Sequence, residues 1–195
     1  MIEDVAIICI SNEHCAKIVS NIVTQHGIAP ILLNDDYSSI IRTVRSRHVN
    51  LIIMDDDIKG INTFELLYMI KNTQQAIEVI LFSSNHNDLP EFIKKGIIFG
   101  YFSLPLNNFE IEQLVLSAQR SSKRTYKMQN ELEELRLKLK NRIIIEKAKE
   151  ILARDKNISL DKAYKAMQNL SMNKGVSLEK LAQVIVDNDA KNEEA

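Results

Sequence analysis

The stretch RIIIEKAKEILARDKNISLDKAYKAMQNLSMNKGVSLEKLAQVIV, residues 142–186, predicts a small bundle of three helices. Its apolar residues recur at helical spacing in three blocks, which contain Ile144, Ile145, Ala148, Ile151 and Leu152, then Ala163, Tyr164, Met167 and Leu170, then Leu178, Leu181, Ala182 and Ile185. Ser159 and Ser177 precede the second and third blocks, where a hydroxyl can cap the free N–H groups of a helix start. We therefore expect turns at 155–158 and 173–176.

Charge is distributed unevenly along the chain, although the formal net charge is only −1. Residues 120–186 carry a net charge of +8, whereas residues 1–119 carry −6 and residues 187–195 carry −3. A basic segment of this kind indicates contact with a polyanion through Lys and Arg side chains. The alternative is that these side chains only solvate helix surfaces.

The basic segment contains an ordered set of residues: Ile145-x-x-Ala148-Lys149-x-x-Leu152, Asp161-x-Ala163-Tyr164-x-x-Met167, Ser171-Met172 and Leu181-Ala182-x-x-Ile185. This set resembles the ANTAR domain of bacterial transcription antiterminators. Glu150 and Ser171 depart from the family pattern, in which Gly and Ala are common, but neither change removes an apolar core position. The resemblance implies an all-α three-helix domain, here over 142–188, that binds paired stem-loops in nascent mRNA and so prevents formation of a terminator.

The RNA surface of such a domain should combine cations for phosphates with a stacking platform for unstacked loop bases. Lys149 is the leading candidate because it is basic and also part of the family motif. The further candidates are Arg142, Lys147, Arg154, Tyr164, Lys165 and Lys174. Tyr164 is more often a core residue at such spacing. We expect Met172 to pack between helices.

Residues 1–119 alternate short apolar runs with helical patterns. The runs are 5–10, 28–33, 49–54, 77–82 and 99–103, and the helical patterns between them are 15–25, 39–47, 64–72 and 89–95. Near-continuous apolar strands that alternate with helices predict an α/β domain with a doubly wound, five-stranded parallel sheet. A site in such a fold lies at the carboxyl ends of the strands.

Asp55 follows the run Leu51-Ile52-Ile53-Met54 and is followed by Gly60 and Phe64-Glu65-Leu66-Leu67, while Tyr101-Phe102-Ser103-Leu104-Pro105 forms the fifth run. These residues resemble the response regulator receiver domain, a CheY-like fold, with Asp55 at the position of the phosphoacceptor. The resemblance implies further groups: an acidic pair after the first strand that holds Mg²⁺ with the acceptor, a hydroxyl after the fourth strand, and a Lys before the fifth-strand Pro.

Two of these positions carry other residue types in this chain. Ser11-Asn12 stands in place of the acidic pair and Leu104 in place of the Lys, whereas Ser83 retains the hydroxyl. We therefore interpret residues 1–119 as a pseudo-receiver in which Asp55 is inactive as an acceptor, without metal or other cofactor, and which is controlled by a sensor protein that docks on it. The alternative is that Glu13 and Asp57 rebuild a metal site beside Asp55.

A continuous pattern connects the two domains. Spacings of three and four run through Ile111, Leu114, Ala118, Ser121, Thr125, Met128, Leu132, Leu135 and Leu139. This pattern predicts the a/d seam of a coiled coil over 111–141, with Met128, Leu132, Leu135 and Leu139 as its stronger part. A homodimer formed through this seam would present two RNA-binding bundles with shared avidity. The alternative is one long helix whose stripe packs on its own domains.

Other classes of protein are disfavoured. No apolar run approaches the length of about 20 residues that spans a membrane, and the start of the chain is unlike a signal peptide, so we expect a cytoplasmic protein. No catalytic constellation is present, which argues against an enzyme. We expect residues 189–195 to form an acidic tail. Two other functions stay open: a phosphorylation-controlled regulator that acts through Asp55, and a protein-interaction adaptor that binds no nucleic acid.

Overall fold

The computed structural model describes residues 4–33, 36–57, 62–73, 76–83 and 89–193, so that Gly60 of the receiver-like pattern lies outside the described residues. The chain divides into two compact units, Met1–Met128 and Gln129–Ala195. Within the described residues, no helix is both long enough and apolar enough to cross a bilayer.

The apolar runs of the first unit form one parallel sheet. Its strands are β1 (Val5–Cys9), β2 (Ala29–Leu32), β3 (Leu51–Asp55), β4 (Glu78–Phe82) and β5 (Gly100–Phe102). They lie in the order β2-β1-β3-β4-β5, and every pair is parallel. Each strand lies within two residues of a predicted run, because the runs are the segments that two layers of helix bury. The predicted five-stranded, doubly wound fold is confirmed.

The helices of the first unit cover both faces of the sheet. They are α1 (Glu13–Gln25), α2 (Tyr37–Ser46), α3 (Thr63–Lys71), α4 (Leu89–Lys94) and the first turns of α5 (Asn108–Lys156). Ile7 and Cys9 of β1 pack with α2, α3 and α4, whereas Ala6 and Ile8 pack with α1 and α5. Alternate residues of β1 are thus buried in the cores on opposite faces of the sheet, which explains why every residue of the run is apolar.

The start of α5 belongs to the sheet domain. Ile111, Val115 and Ala118 are buried in the core on the α1 side. Polar contacts continue this attachment at the end of the sheet opposite Asp55. Ser122 Oγ donates to the carbonyl of Ala76, and Ser121 Oγ donates to Glu78 at 2.6 Å. Asp4 accepts a hydrogen bond from Gln119 at 2.7 Å and forms an ion pair with Lys123 at 2.6 Å. The first part of the predicted coiled-coil linker thus packs on the sheet, and a seam over 128–139 stays a prediction.

The second unit contains the rest of α5 with α6 (Leu160–Lys174) and α7 (Leu178–Glu193). Their core is formed by Ala148, Met167, Leu181 and Ala182, with Ile144, Ile145, Leu152 and Ile185 packed against it. The three predicted helices are confirmed. α7 continues to Glu193, so the described part of the predicted acidic tail, 189–193, is helical.

The turns of the second unit follow the predicted capping chemistry. Ser159 Oγ accepts from the N–H of Lys162 at 3.4 Å, and Ser177 Oγ accepts from the N–H of Lys180 at 3.3 Å. Gly175, at φ +61°, ends α6 in the left-handed conformation that glycine adopts readily. The expectation for Met172 is wrong: its side chain is 79% exposed, because it lies near the end of α6 on the side facing solvent.

Candidate nucleic-acid interface and receiver site

A cleft in the second unit brings together three of the predicted RNA-binding residues. Its volume is about 430 Å³, and its lining consists of Lys138, Asn141, Arg142, Ile145, Glu146, Lys149, Asp161, Tyr164 and Glu179. The α5 members recur every three or four residues and so share one face of the helix. Arg142, Lys149 and Tyr164 therefore lie around one concave surface.

The cleft is not uniformly basic, because three carboxylates balance its three cations. Lys149 is paired with Glu146, one turn earlier on α5, and the Lys149 side chain is only 18% exposed. Glu146 therefore occupies part of the hydrogen-bonding capacity of the Lys149 ammonium group. Arg142 is exposed, and Tyr164 is 36% exposed, so the ring is accessible and does not belong to the bundle core.

Lys147 and Arg154 lie on a different side of α5. Five residues separate Arg142 from Lys147, which rotates the side chain by about 140° around the helix axis. Lys147 and Arg154 line a second cavity of about 540 Å³ together with Glu150, Ile151, Val186, Asp189 and Ala190. Arg154 Nε donates to Asp155 at 3.0 Å and Arg154 Nη2 donates to Asp189, and these hydrogen bonds raise the pKa of Arg154.

Lys165 and Lys174 are exposed on α6 and line neither cavity. The seven predicted residues thus divide among separate surfaces of the bundle. Lys138 and Asn141 belong to the first cleft but were not among the candidates, although their spacing from Arg142, Ile145 and Lys149 is a signal that the sequence contains. The acidic Glu179 of α7 carried no such signal, because its place in the cleft depends on tertiary packing.

The predicted receiver site lies at the carboxyl ends of β1, β3 and β4. Asp55 Oδ2 accepts a hydrogen bond from the backbone N–H of Ser11 at 2.7 Å. The hydroxyl of Ser83, the group that would contact a phosphoryl group in a receiver, donates a hydrogen bond to the carboxylate of Asp56. Thr63 Oγ1 in turn donates to the Asp56 carbonyl at 2.7 Å and holds this turn in place. Asp55 and Ser83 are therefore both engaged by neighbouring groups.

The side chains at the metal-binding and Lys positions of a receiver differ in this chain in type and in placement. Asn12 Oδ1 accepts from the N–H of Cys15 at 3.0 Å and so serves as the N-cap of α1. Glu13 and Asp57 are both exposed, and Asp57 lies beyond the end of β3. Within the described ranges, no three His, Cys, Asp or Glu side chains come close enough to hold a metal ion. Leu104, at the position of the Lys, is 62% exposed and offers no cation.

The predicted dimerisation residues form an exposed stripe on α5. Met128, Leu132, Leu135 and Leu139 are 53%, 48%, 61% and 60% exposed, respectively. Their spacing of three and four places them along one side of the helix. These four large apolar side chains form an exposed apolar surface along α5 that a second helix can cover.

Comparison with known families assigns both parts of the chain. The response regulator receiver domain matches residues 7–116, and the ANTAR domain matches residues 133–186. The curated Fimbriae Z protein of Escherichia coli K12 is 43% identical over 54 residues, which are 28% of this chain and 26% of that protein. The chain thus spans about a quarter of the length of the curated relatives it matches.

Solved structures share the fold at low sequence identity. The receiver domain of a putative Luxo repressor protein from Vibrio parahaemolyticus has a TM-score of 0.55 at 15% identity and covers 69% of this chain and 97% of its own. Full-length FixJ from B. japonicum has a TM-score of 0.54 at 15% identity and covers 95% of this chain and 98% of its own. The receiver domain match over residues 7–116 covers more than half of the chain, which therefore belongs to the response regulator family and carries an ANTAR domain match after its receiver domain.

Proposed function

We propose that this chain is an RNA-binding antitermination regulator that acts as a homodimer in the cytoplasm, where transcripts emerge. Each ANTAR domain contacts one of two paired stem-loops in nascent mRNA, and the bound RNA does not form the competing terminator. The observation that carries this proposal is the match of residues 133–186 to the ANTAR domain, in the part of the chain where Arg142, Lys149 and Tyr164 surround one cleft.

The chemistry of the cleft suits the loop of a hairpin. Loop bases are unstacked, so an accessible ring such as that of Tyr164 can stack with a base, and the Asn141 amide can pair with a base edge. Lys138, Arg142 and Lys149 can contact the phosphates that flank this base. The carboxylates of the cleft oppose nonspecific binding of polyanions, which favours a ligand that also makes base contacts.

The α5 stripe supports pairing with a second copy of the chain. With Leu132 and Leu139 at a positions and Leu135 at d, Glu131 falls at g and Arg136 falls at the following e position. In a parallel coiled coil the g residue of one helix meets that e residue of its partner, so two Glu–Arg contacts form across the dimer. Arg142, at the next d position, would meet its own copy and ends the apolar seam. The stripe therefore favours a short, parallel, in-register coil.

Control through a docked sensor protein is favoured over phosphorylation by the geometry around Asp55. A phosphoryl group brings a charge that Mg²⁺ and a Lys normally offset. Here Asn12 caps a helix, Leu104 is apolar, and the Ser83 hydroxyl is bonded to Asp56. Incubation with a small-molecule phosphodonor and Mg²⁺ tests this directly. We expect no acid-labile phosphate on Asp55, and phosphorylation at that residue would contradict this part of the proposal.

The RNA-binding proposal is tested with the full-length protein and a pool of RNAs that carry two small hairpins with randomised loops. We expect selective enrichment of certain loops, and weaker binding to duplex DNA of equal length. Lys149→Ala should weaken binding to an enriched RNA and lower its dependence on salt, since one phosphate contact is lost. Lys191→Ala is the matched control, because it removes the same charge outside the ANTAR match. Equal loss in both variants, or no enrichment, would contradict the proposal.

A further inference from the structure

We propose that Asp189 is an internal competitor of RNA for the Arg154 guanidinium. In the free protein the Asp189 carboxylate occupies donors that a backbone phosphate of the bound RNA takes over. This inference rests on the proposed RNA-binding function and assigns a regulatory contact to it. The second cavity, which also contains Lys147, is then a phosphate subsite that the protein itself partly fills.

The geometry places the carboxylate where a phosphate oxygen would bind. Arg154 Nη2 donates to Asp189 Oδ1, while Arg154 Nε donates to the neighbouring Asp155. A guanidinium offers the same planar set of donors to carboxylates and to phosphates, so the one ligand can substitute for the other. The Arg154 side chain is 58% exposed whereas that of Asp189 is 17% exposed, so the cation faces solvent and is accessible to an incoming ligand.

The competing carboxylate comes from a segment beyond the matched family region. The ANTAR match ends at residue 186, but α7 continues as a helix to Glu193. Residues 187–195 carry a net charge of −3, in contrast to the +8 of residues 120–186. The extension thus brings negative charge back onto the basic bundle, and the Arg154–Asp189 pair, which joins α5 to α7, is its direct contact with one of the predicted RNA-binding residues.

The consequence is a threshold for binding. A phosphate must displace Asp189 to take over the Arg154 Nη2 donor that this carboxylate occupies, so a ligand that offers only scattered phosphates gains little from this donor. A folded hairpin that already makes the other contacts loses only the free energy of the Arg154–Asp189 contact, and it gains the contact with Arg154. Removing the carboxylate should therefore increase affinity, which is the opposite of what the loss of a merely structural ion pair would produce.

Asp187 provides a matched control on the same helix. Its carboxylate accepts from Gln183 Nε2 at 2.6 Å and pairs with no cation among the residues that the structure describes. Asp189→Asn and Asp187→Asn make the same change in net charge, so any difference between them reports the contact with Arg154. An Asn can still bond to Arg154 weakly, and Asp189→Ala is therefore included as a variant that abolishes the contact.

The experiment measures the affinity of the full-length variants for an enriched two-hairpin RNA by fluorescence anisotropy at several salt concentrations, with thermal melts to verify folding. Because an exposed ion pair is weak, we expect Asp189→Asn and Asp189→Ala to bind about two- to fivefold more tightly, with a steeper salt dependence, and Asp187→Asn to gain less. In an Arg154→Ala background the gain should disappear.

Three results would overturn the inference. They are an equal gain from Asp187→Asn and Asp189→Asn, a gain that persists in the Arg154→Ala background, and a loss of affinity in the Asp189 variants. Each of these leaves RNA binding by the unmodified protein intact, and so contradicts the role of Asp189 alone. Failure of the unmodified protein to bind any hairpin RNA would overturn the proposed function and this inference with it.

Discussion

Leu135→Ala should weaken the proposed dimer far more than the same substitution two residues away. Leu135 is 61% exposed in the single chain, and full burial of a leucine contributes about 1.5–3 kcal/mol. Burying the exposed part in a dimer would thus contribute about 1–2 kcal/mol per chain, and the two-fold symmetry of the pair doubles this value. Most of this contribution is lost with the alanine, so we expect the dimer dissociation constant to rise by about 30- to 700-fold.

Leu137→Ala is the control for this prediction. Leu137 is 57% exposed and lies on the same helix, but it falls at the f position, which faces away from the seam. Both substitutions make the same change in helix propensity, so a difference between them reports pairing alone. Sedimentation equilibrium of the full-length protein over a range of concentrations gives the dissociation constants. A monomeric unmodified protein, or an equal effect of the two substitutions, would refute the assignment of the seam.

Three further predictions concern other parts of the chain. Glu131→Lys should weaken the dimer by like-charge contact with Arg136, and adding Arg136→Glu should restore it; sedimentation that shows no restoration contradicts the parallel register. Gly100→Ala places a Cβ 2.7 Å from the tip of the Leu114 side chain, which can shift, so it should destabilise the first unit by no more than about 1 kcal/mol in chemical denaturation, and a much larger loss would contradict this adjustment. Burial raises the pKa of the Cys15 thiol, so the folded state binds this proton more tightly than the unfolded state does, and stability falls once the pH exceeds the ordinary thiol pKa. Cys15→Ala should therefore reduce the loss of melting temperature between about pH 8 and pH 10. An identical loss in the variant and the unmodified protein would contradict this prediction.

The sheet domain was predictable because its strands are buried on both faces. A run such as that of β1, in which Ala6 and Ile8 serve one core and Ile7 and Cys9 the other, has no polar positions and stands out in the sequence. The helices of the second unit were also predictable from local signals. Ser159 caps the start of α6, and Gly175 ends it. Local signals of this kind require no knowledge of the tertiary structure.

The linker shows where sequence reasoning reaches its limit. Ile111 and Ala118 follow the same spacing as Leu132 and Leu139, yet they pack against the sheet while the later residues are exposed. A helix that covers a sheet and a helix that pairs with another both need an apolar stripe, so the spacing alone cannot distinguish the two uses. The position at which the sheet ends determines which residues of α5 are buried against it.

The candidate RNA surface was predictable in composition but not in arrangement. Cations were identified by residue type, but their partners lie elsewhere in the chain: Arg154 contacts Asp189, which is 35 residues later. The separation of Lys147 from Arg142 follows from helix geometry and could have been predicted from the sequence. The pairing of Lys149 with Glu146 was also within reach, because three residues on a helix bring two side chains together.

The most direct test is the stoichiometry and affinity of the full-length protein with an RNA that carries two hairpins, compared with the same RNA after one hairpin is deleted. Native mass spectrometry should find two chains on one two-hairpin RNA, and deletion of a hairpin should weaken binding by about a hundredfold, because the shared avidity is lost. One chain per RNA, with the same affinity for one hairpin as for two, would contradict the account.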